Sequence, residues 1–201
     1  MSDSPRLREW LAKDRLIASI KDPKAMDAFL KTDIKIAFLL FGNISVIGKF
    51  VKHLKEHDRM VYVHLDKIQG ISHDAEGLKF LHRFVAPYGI ITTKSHMVQK
   101  AKKLNLSTIQ RLFLVDTDAI KNGLASMEKV QPDAVEIMPA LIPSMVSELK
   151  LQTDVPLVTG GLLTNPNQMR EALEYGASAV STGNPGLWDI SYTQRVGSEW
   201  K

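Results

Sequence analysis

The stretch from Pro156 to Leu187, PLVTGGLLTNPNQMREALEYGASAVSTGNPGL, constrains the fold more than any other part of the chain. Two short apolar runs, Leu157-Val158-Thr159 and Ala179-Val180-Ser181-Thr182, are each followed by glycine and flank a helix-like segment from Asn165 to Tyr175. Strands joined through a crossover helix lie parallel, because a tight turn can join only antiparallel ones. Gly160-Gly161 and Gly183-Asn184-Pro185 therefore fall side by side at the carboxyl ends of neighbouring strands. Turns without bulky side chains, next to a helix predicted to begin near Pro185, suit an anion. In a (β/α)8 barrel the loops after the last two strands are a frequent phosphate site. The assignment then depends on whether six similar units precede this pair.

Residues 4–14 place Leu7, Trp10 and Leu11 at i, i+3 and i+4, the pattern of a short amphipathic helix able to plug the bottom of a barrel. Arg15 to Ile20 reads as the first strand, with Asp22-Pro23 opening a helix. Ile34 to Phe41, IKIAFLLF, is too uniformly apolar for a strand with one wet face and precedes a helix from Ile44 to His57. Met60 to Ile68 is the third strand, followed by a loop from Gln69 to Asp74 and a helix to Val85. Gly89 to Thr93, Arg111 to Asp116 and Ala134 to Met138 supply strands four to six, with helices over Ser95 to Leu104, Thr117 to Val130 and from Pro143 onward.

Strands alternating with helices at so even a repeat predict an α/β protein, a single (β/α)8 TIM barrel with short helices and a short N-terminal helix. It is expected to span residues 1–189, leaving 190–201 as a loose C-terminal tail. A doubly wound open sheet is the alternative, but no G-x-G-x-x-G follows the first strand. A length of 201 residues is near the lower limit for such a barrel.

No run approaches the roughly 18 apolar residues of a membrane span, and MSDSPRLREW lacks the apolar core of a secretory signal. The chain has no cysteine, which excludes disulfides and thiol chemistry and fits a cytoplasmic location. A formal net charge of +4 permits contact with nucleic acid without requiring it.

In this architecture polar residues ending apolar runs line one mouth. They are Lys21, Asp22, Asn43, Asp66, Lys67, Lys94, Asp116 and Glu136. Asp22 and Asp116 precede helices and suit caps equally well. Asp66 and Lys67 alternate, so one of them points inward, and Asp66 is the expected one. Glu136 lies between Val135 and Ile137, where a carboxylate needs a partner, and Lys94 is a candidate for an ion pair. The six histidines show no metal-ligand spacing; His64 is expected to be a hydrogen-bonded barrel residue. No nucleophile elbow or Walker motif is present, so no catalytic or metal-binding residue is assigned. The residues alone point to a phosphate-binding barrel.

Several ordered runs then carry a resemblance. Ser19-Ile20-Lys21-Asp22, Leu40-Phe41-Gly42-Asn43-Ile44, His64-Leu65-Asp66-Lys67-Ile68-Gln69-Gly70, Ile90-Ile91-Thr92-Thr93-Lys94, Val135-Glu136-Ile137-Met138-Pro139, Val158-Thr159-Gly160-Gly161-Leu162 and Ser181-Thr182-Gly183-Asn184-Pro185, with Leu187-Trp188 beyond, resemble the glycerol uptake operon antiterminator family. The likeness covers Arg6 to Trp188. It implies a barrel that senses sn-glycerol 3-phosphate, needs no cofactor, and when loaded binds the leader messenger RNA of glycerol-catabolism genes to prevent termination. Under that reading Gly160, Gly161, Gly183 and Asn184 hold the phosphate, while Asp66, Lys94 and Glu136 read the glycerol end. RNA contact is expected on the basic helical faces, Lys49, Lys52 and Lys55 or Lys100, Lys102 and Lys103. Barrels often pair through helices or an N-terminal segment, so a homodimer is an admissible assembly. The competing reading is a barrel enzyme acting on a small phosphate ester such as glycerol phosphate.

Overall fold

The computed structural model describes residues 4–194. Eight parallel strands close on themselves in sequence order. They are β1 (Leu16–Ile20), β2 (Ile36–Leu39), β3 (Met60–His64), β4 (Gly89–Thr92), β5 (Ser107–Phe113), β6 (Ala134–Met138), β7 (Leu157–Gly160) and β8 (Ala179–Thr182). Closure is made by β8 on β1, with Leu16 opposite Val180 and Ala18 opposite Thr182. The expected TIM barrel is therefore the observed fold.

A short helix, α1 (Ser4–Asp14), precedes β1. Helices α2 (Pro23–Leu30), α3 (Ile47–Glu56), α4 (Ala75–Phe80), α5 (Ser95–Lys103), α6 (Thr117–Val130), α7 (Pro143–Lys150) and α8 (Pro166–Glu174) follow the first seven strands in turn. Several start where an Asx side chain accepts a backbone N–H: Asp22 from Ala25 at 2.8 Å, Asp116 from Ala119 at 2.7 Å and Asn165 from Gln168 at 3.1 Å. Such caps satisfy donors that the first helical turn leaves unpaired. Asp22 and Asp116 thus do the capping work their positions suggest.

Strand alternation sorts the apolar residues into two cores. Outward-facing Ala18, Ala37, Val63, Ile90, Val135 and Val180 pack with helix residues such as Phe29, Leu54, Met97 and Met169. Inward-facing Ile17, Ile36, Phe38, Met60, Tyr62, Ile109, Val158 and Ala179 fill the barrel, and Leu7 and Leu11 of α1 close it from below. At roughly 1.5–3 kcal/mol for each fully buried large aliphatic side chain, this plug contributes appreciably to stability.

Several boundaries differ from expectation, among them the strand β2, which is shorter at both ends than Ile34 to Phe41, and three that bear on the site. Strand β5 begins at Ser107 instead of Arg111, because its early residues are polar yet buried. Ser107 meets the Tyr62 hydroxyl at 2.9 Å, and Thr108 Oγ1 donates to Asp133 at 2.9 Å. Strand β3 ends at His64, and Leu65–Lys67 forms a single 3₁₀ turn. Helix α3 begins at Ile47, since Asn43 is held in a bridge to Gln69 and accepts from Ser45 N at 2.9 Å. After Trp188 the chain turns into α9 (Ser191–Gln194), where buried Thr193 donates to the Asp14 carbonyl at 2.7 Å. Of the expected tail, residues 191–194 form this helix, and 195–201 lie outside the described residues.

Candidate functional site

The inward positions change character as the strands climb. Ile17 is followed by Ser19, Tyr62 by His64, Ile109 by Arg111, Ala134 by Glu136 and Ala179 by Ser181. Because alternate residues share a face, these polar side chains form a layer above the apolar core and below the carboxyl ends of the strands. Arg111 and Glu136 are register partners on β5 and β6. Arg111 Nε donates to Glu136 Oε2 at 2.6 Å, and Ser181 Oγ donates to Oε1 at 2.5 Å. Glu136 is fully buried and Arg111 is 6% exposed. Burial of such a pair is tolerable because both carboxylate oxygens are occupied.

Above this layer opens a cavity of about 470 Å³, within the range of about 300–1,000 Å³ typical of small-ligand sites. Its wall includes Ser19, Lys21, Lys67, Arg111, Gly161, Thr182, Gly183 and Asn184. Of the four expected phosphate residues, Gly161, Gly183 and Asn184 reach it, whereas Gly160 sits lower, packed on Ser181. Gly161 has φ +82°, a region that side chains with a Cβ avoid. At Gly183 an added Cβ would stand 2.6 Å from Lys21 Cε, so the missing side chain lets Lys21 lie across the turn. Asn184 accepts from Gly186 N at 3.0 Å and donates its own N–H to Thr182 Oγ1 at 3.2 Å. The helix expected near Pro185 is only the 3₁₀ turn Pro185–Leu187. Such a turn carries little macrodipole. The cationic groups in the cavity wall are instead Lys21, Lys67 and Arg111.

The residues expected at the opposite side of the mouth are arranged differently. Asp66 accepts from Thr93 N at 2.7 Å and from the Thr92 and Thr93 hydroxyls at 3.1 Å, which ties the turn after β3 to the end of β4. Burial alone would raise its pKa, but these bonds and nearby His64 hold it below the usual carboxylate range. Asp66 is not in the cavity wall, and Lys67 is. The strand stops at His64, before the alternation used to choose between Asp66 and Lys67 reaches either residue. Lys94 lies 2.5 Å from His73 Nδ1, and the partner of Glu136 is Arg111. Arg111 was missed because β5 was read as starting there, which hid its inward position.

His64 is 1% exposed, and neither ring nitrogen has a hydrogen-bond partner, contrary to the expected bonded histidine. Burial, reinforced by the Arg111 charge and opposed by Asp66, pushes its pKa down to about 4. Among the described residues no group of three or more His, Asp or Glu side chains is placed to hold a metal ion. Outside the cavity wall, Lys49, Lys52 and Lys55 are exposed along α3, with Lys55 Nζ donating to the Ala86 carbonyl at 2.9 Å. On α5, Lys100 and Lys103 are exposed, while half-buried Lys102 donates to the Gln131 carbonyl.

Fold and site together define a small (β/α)8 barrel with three cationic side chains gathered at its mouth. Residues 16–188 match the family described as glycerol-3-phosphate responsive antiterminator, and the chain belongs to that family. It is 32% identical to the glycerol uptake operon antiterminator regulatory protein from Listeria monocytogenes str. 4b F2365, with a TM-score of 0.83 over 86% of this chain and 94% of that one. A glycerol uptake operon antiterminator-related protein from Thermotoga maritima MSB8 is 26% identical, with a TM-score of 0.78 over 86% and 96% of the two chains. The uncharacterized protein YgcP of Escherichia coli K12 is 29% identical over 92% of this chain and 97% of its own length. Orotidine 5′-phosphate decarboxylase from Pyrococcus horikoshii OT3, at 14% identity and a TM-score of 0.63 over 83% and 88% of the two chains, shares the fold alone. Among the described residues no helix is long and apolar enough to cross a membrane.

Proposed function

We propose that this chain is a glycerol-3-phosphate-responsive transcription antiterminator: sn-glycerol 3-phosphate enters the barrel mouth, and the loaded protein binds the leader RNA of glycerol-catabolism genes and prevents termination. One observation carries the ligand half of the reading. Lys21, Lys67 and Arg111 surround one cavity, and the carboxylate directly behind it is Glu136. Three positive charges against one negative leave an excess of two, which matches a phosphate monoester at about −1.5 to −2 near neutral pH. Family membership supplies the effector and the RNA half.

In this reading the phosphate rests on Gly161, Gly183 and Asn184, with Lys21, Lys67 and Arg111 reaching its oxygens. Gly160 and Glu136 act from beneath: Gly160 gives Ser181 room to reach the carboxylate, and Glu136 aims the Arg111 fork upward. Asp66 and Lys94 shape the glycerol side through the β3 and β4 turns. The site calls for no cofactor, and the protein works as a regulator in the cytoplasm rather than as an enzyme. The competing enzyme reading needs an acid or base free to move a proton. Asp66 and Glu136 are already committed to hydrogen bonds, so no observation favours it.

The test is a titration of the protein into a labelled glycerol-operon leader RNA at fixed moderate salt, with and without sn-glycerol 3-phosphate. Several-fold tighter binding with the phosphate ester, and none of that gain with glycerol or inorganic phosphate, is the expected result, because linkage requires the two ligands to favour one state. RNA bound equally in all conditions, or ignored in all, contradicts the proposal.

A further inference from the structure

The two basic faces expected to meet RNA differ in one respect that the sequence does not show. Beside α3 the helix that begins as α4 continues through a wider π-type turn, Leu81–Val85, which leaves Phe84 74% exposed. Its ring stacks at a tilt on Phe80, with centroids 5.6 Å apart, so one face is supported by protein and the other meets solvent. A single exposed aromatic is common on protein surfaces, so what marks this one is the groups around it.

Cations surround it. Lys52 and Lys55 of α3 share with Phe84 the wall of a shallow groove of about 460 Å³, to which Gly48 also contributes by bringing α3 close to the turn. On the other side of Lys55 a second concavity of about 450 Å³ is bordered by His82, Arg6 and Tyr88. Arg83, next to Phe84, is exposed as well. The acidic side chains of these concavities are already paired, Glu56 with Lys52 at 3.8 Å and Asp58 with Lys35. Each face has one lysine that donates to a neighbouring carbonyl, Lys55 to Ala86 and Lys102 to Gln131, but the α5 face has no exposed large aromatic among its residues.

We infer that the surface formed by α3 and the turn at Phe84 is where this chain holds an unpaired stretch of RNA: Phe84 stacks one base while Lys52, Lys55 and Arg83 meet the flanking phosphates. The inference rests on the antiterminator reading and deepens it. An aromatic platform ringed by cations recognises single strands, whose bases are free to stack, and has nothing to stack on in a duplex. A protein partner would use the aromatic without needing the cations.

The experiment measures binding of a labelled glycerol-operon leader RNA, in saturating sn-glycerol 3-phosphate, to the wild type and to Phe84→Ala, Phe84→Trp, Lys52→Glu/Lys55→Glu and Lys100→Glu/Lys103→Glu. Loss of one stacked base weakens binding on the order of ten-fold in Phe84→Ala, while Phe84→Trp stays within about two-fold because the platform is kept. The α3 charge reversal weakens binding at least as much as Phe84→Ala, and the α5 reversal less. Substitution of this exposed residue leaves thermal unfolding unchanged, so misfolding is separable. If the wild type binds RNA and Phe84→Ala binds equally, the surface assignment is wrong and the antiterminator reading survives. If the wild type ignores RNA, the antiterminator reading fails and takes the surface with it. If Phe84→Ala instead dissociates an oligomer and leaves RNA affinity alone, the patch joins copies of the chain and the inference is overturned.

Discussion

The two ends of the barrel are built on the same eight strands and the same alternation, yet their interiors are chemically opposite. At the base, Leu7 and Leu11 of α1 pack with Ile17, Ile36, Met60 and Ala134, and the interior is largely apolar. At the mouth, the next inward residues are Ser19, His64, Arg111, Glu136 and Ser181, with Lys21 and Lys67 above them. Burying aliphatic groups lowers the free energy of folding, whereas gathering like charges raises it unless an anion arrives. The base therefore stabilises the barrel and the mouth is shaped for its ligand, and substitutions at the two ends should separate along that line.

The largest effect is expected at Arg111. Arg111→Ala removes a cation from the cavity and strands Glu136, so sn-glycerol 3-phosphate affinity should fall by roughly 100-fold or more and stability by about 3–5 kcal/mol. Arg111→Ala/Glu136→Gln should recover most of the stability in urea unfolding while binding of the phosphate ester stays lost. Recovery of both would mean that Arg111 is only a structural residue. At the other end, Leu11→Ala should cost about 2–5 kcal/mol by opening a cavity while calorimetry finds the ligand affinity of the folded protein unchanged.

A pH series sharpens the comparison at His64. The unfolded chain takes up a proton there near pH 6.5, and the folded site resists protonation down to about pH 4. Stability from this residue is thus complete above pH 6.5 and falls as pH drops toward 4, by up to about 3 kcal/mol. His64→Gln should flatten that part of the urea-unfolding profile, and Asp66 should add a loss of the same sign at lower pH. The smallest effect belongs to Lys67→Ala, an exposed side chain whose removal should weaken binding of the phosphate ester by about ten-fold, one charge-assisted contact, and leave unfolding unaltered.

Much of the architecture was legible because the signals were local. Apolar runs, glycines after strands and Asx residues before helices place β6 and β8 at their observed bounds, and α1 plugs the base as Leu7, Trp10 and Leu11 imply. The glycine turns after β7 and β8 were readable for the same reason, and Gly160 opposite Ser181 confirms that the two strands are neighbours. The cationic wall was less legible. Arg111 sits in a polar strand that resembles a loop until its partners are known, and those partners are distant in sequence, Glu136 above all. Lys67 was passed over because a strand period was extended through a 3₁₀ turn. The exposed face of Phe84 depends on a π-type turn that hydrophobic periodicity does not mark.

The most direct test of the central claim is calorimetric titration of sn-glycerol 3-phosphate into the wild type and into Lys21→Ala, alongside glycerol. The account predicts saturable one-site binding of the phosphate ester by the wild type, clear weakening in Lys21→Ala and no heat from glycerol. Equal binding by the wild type and Lys21→Ala, or no binding by either, would contradict the assignment of the cationic mouth as the effector site.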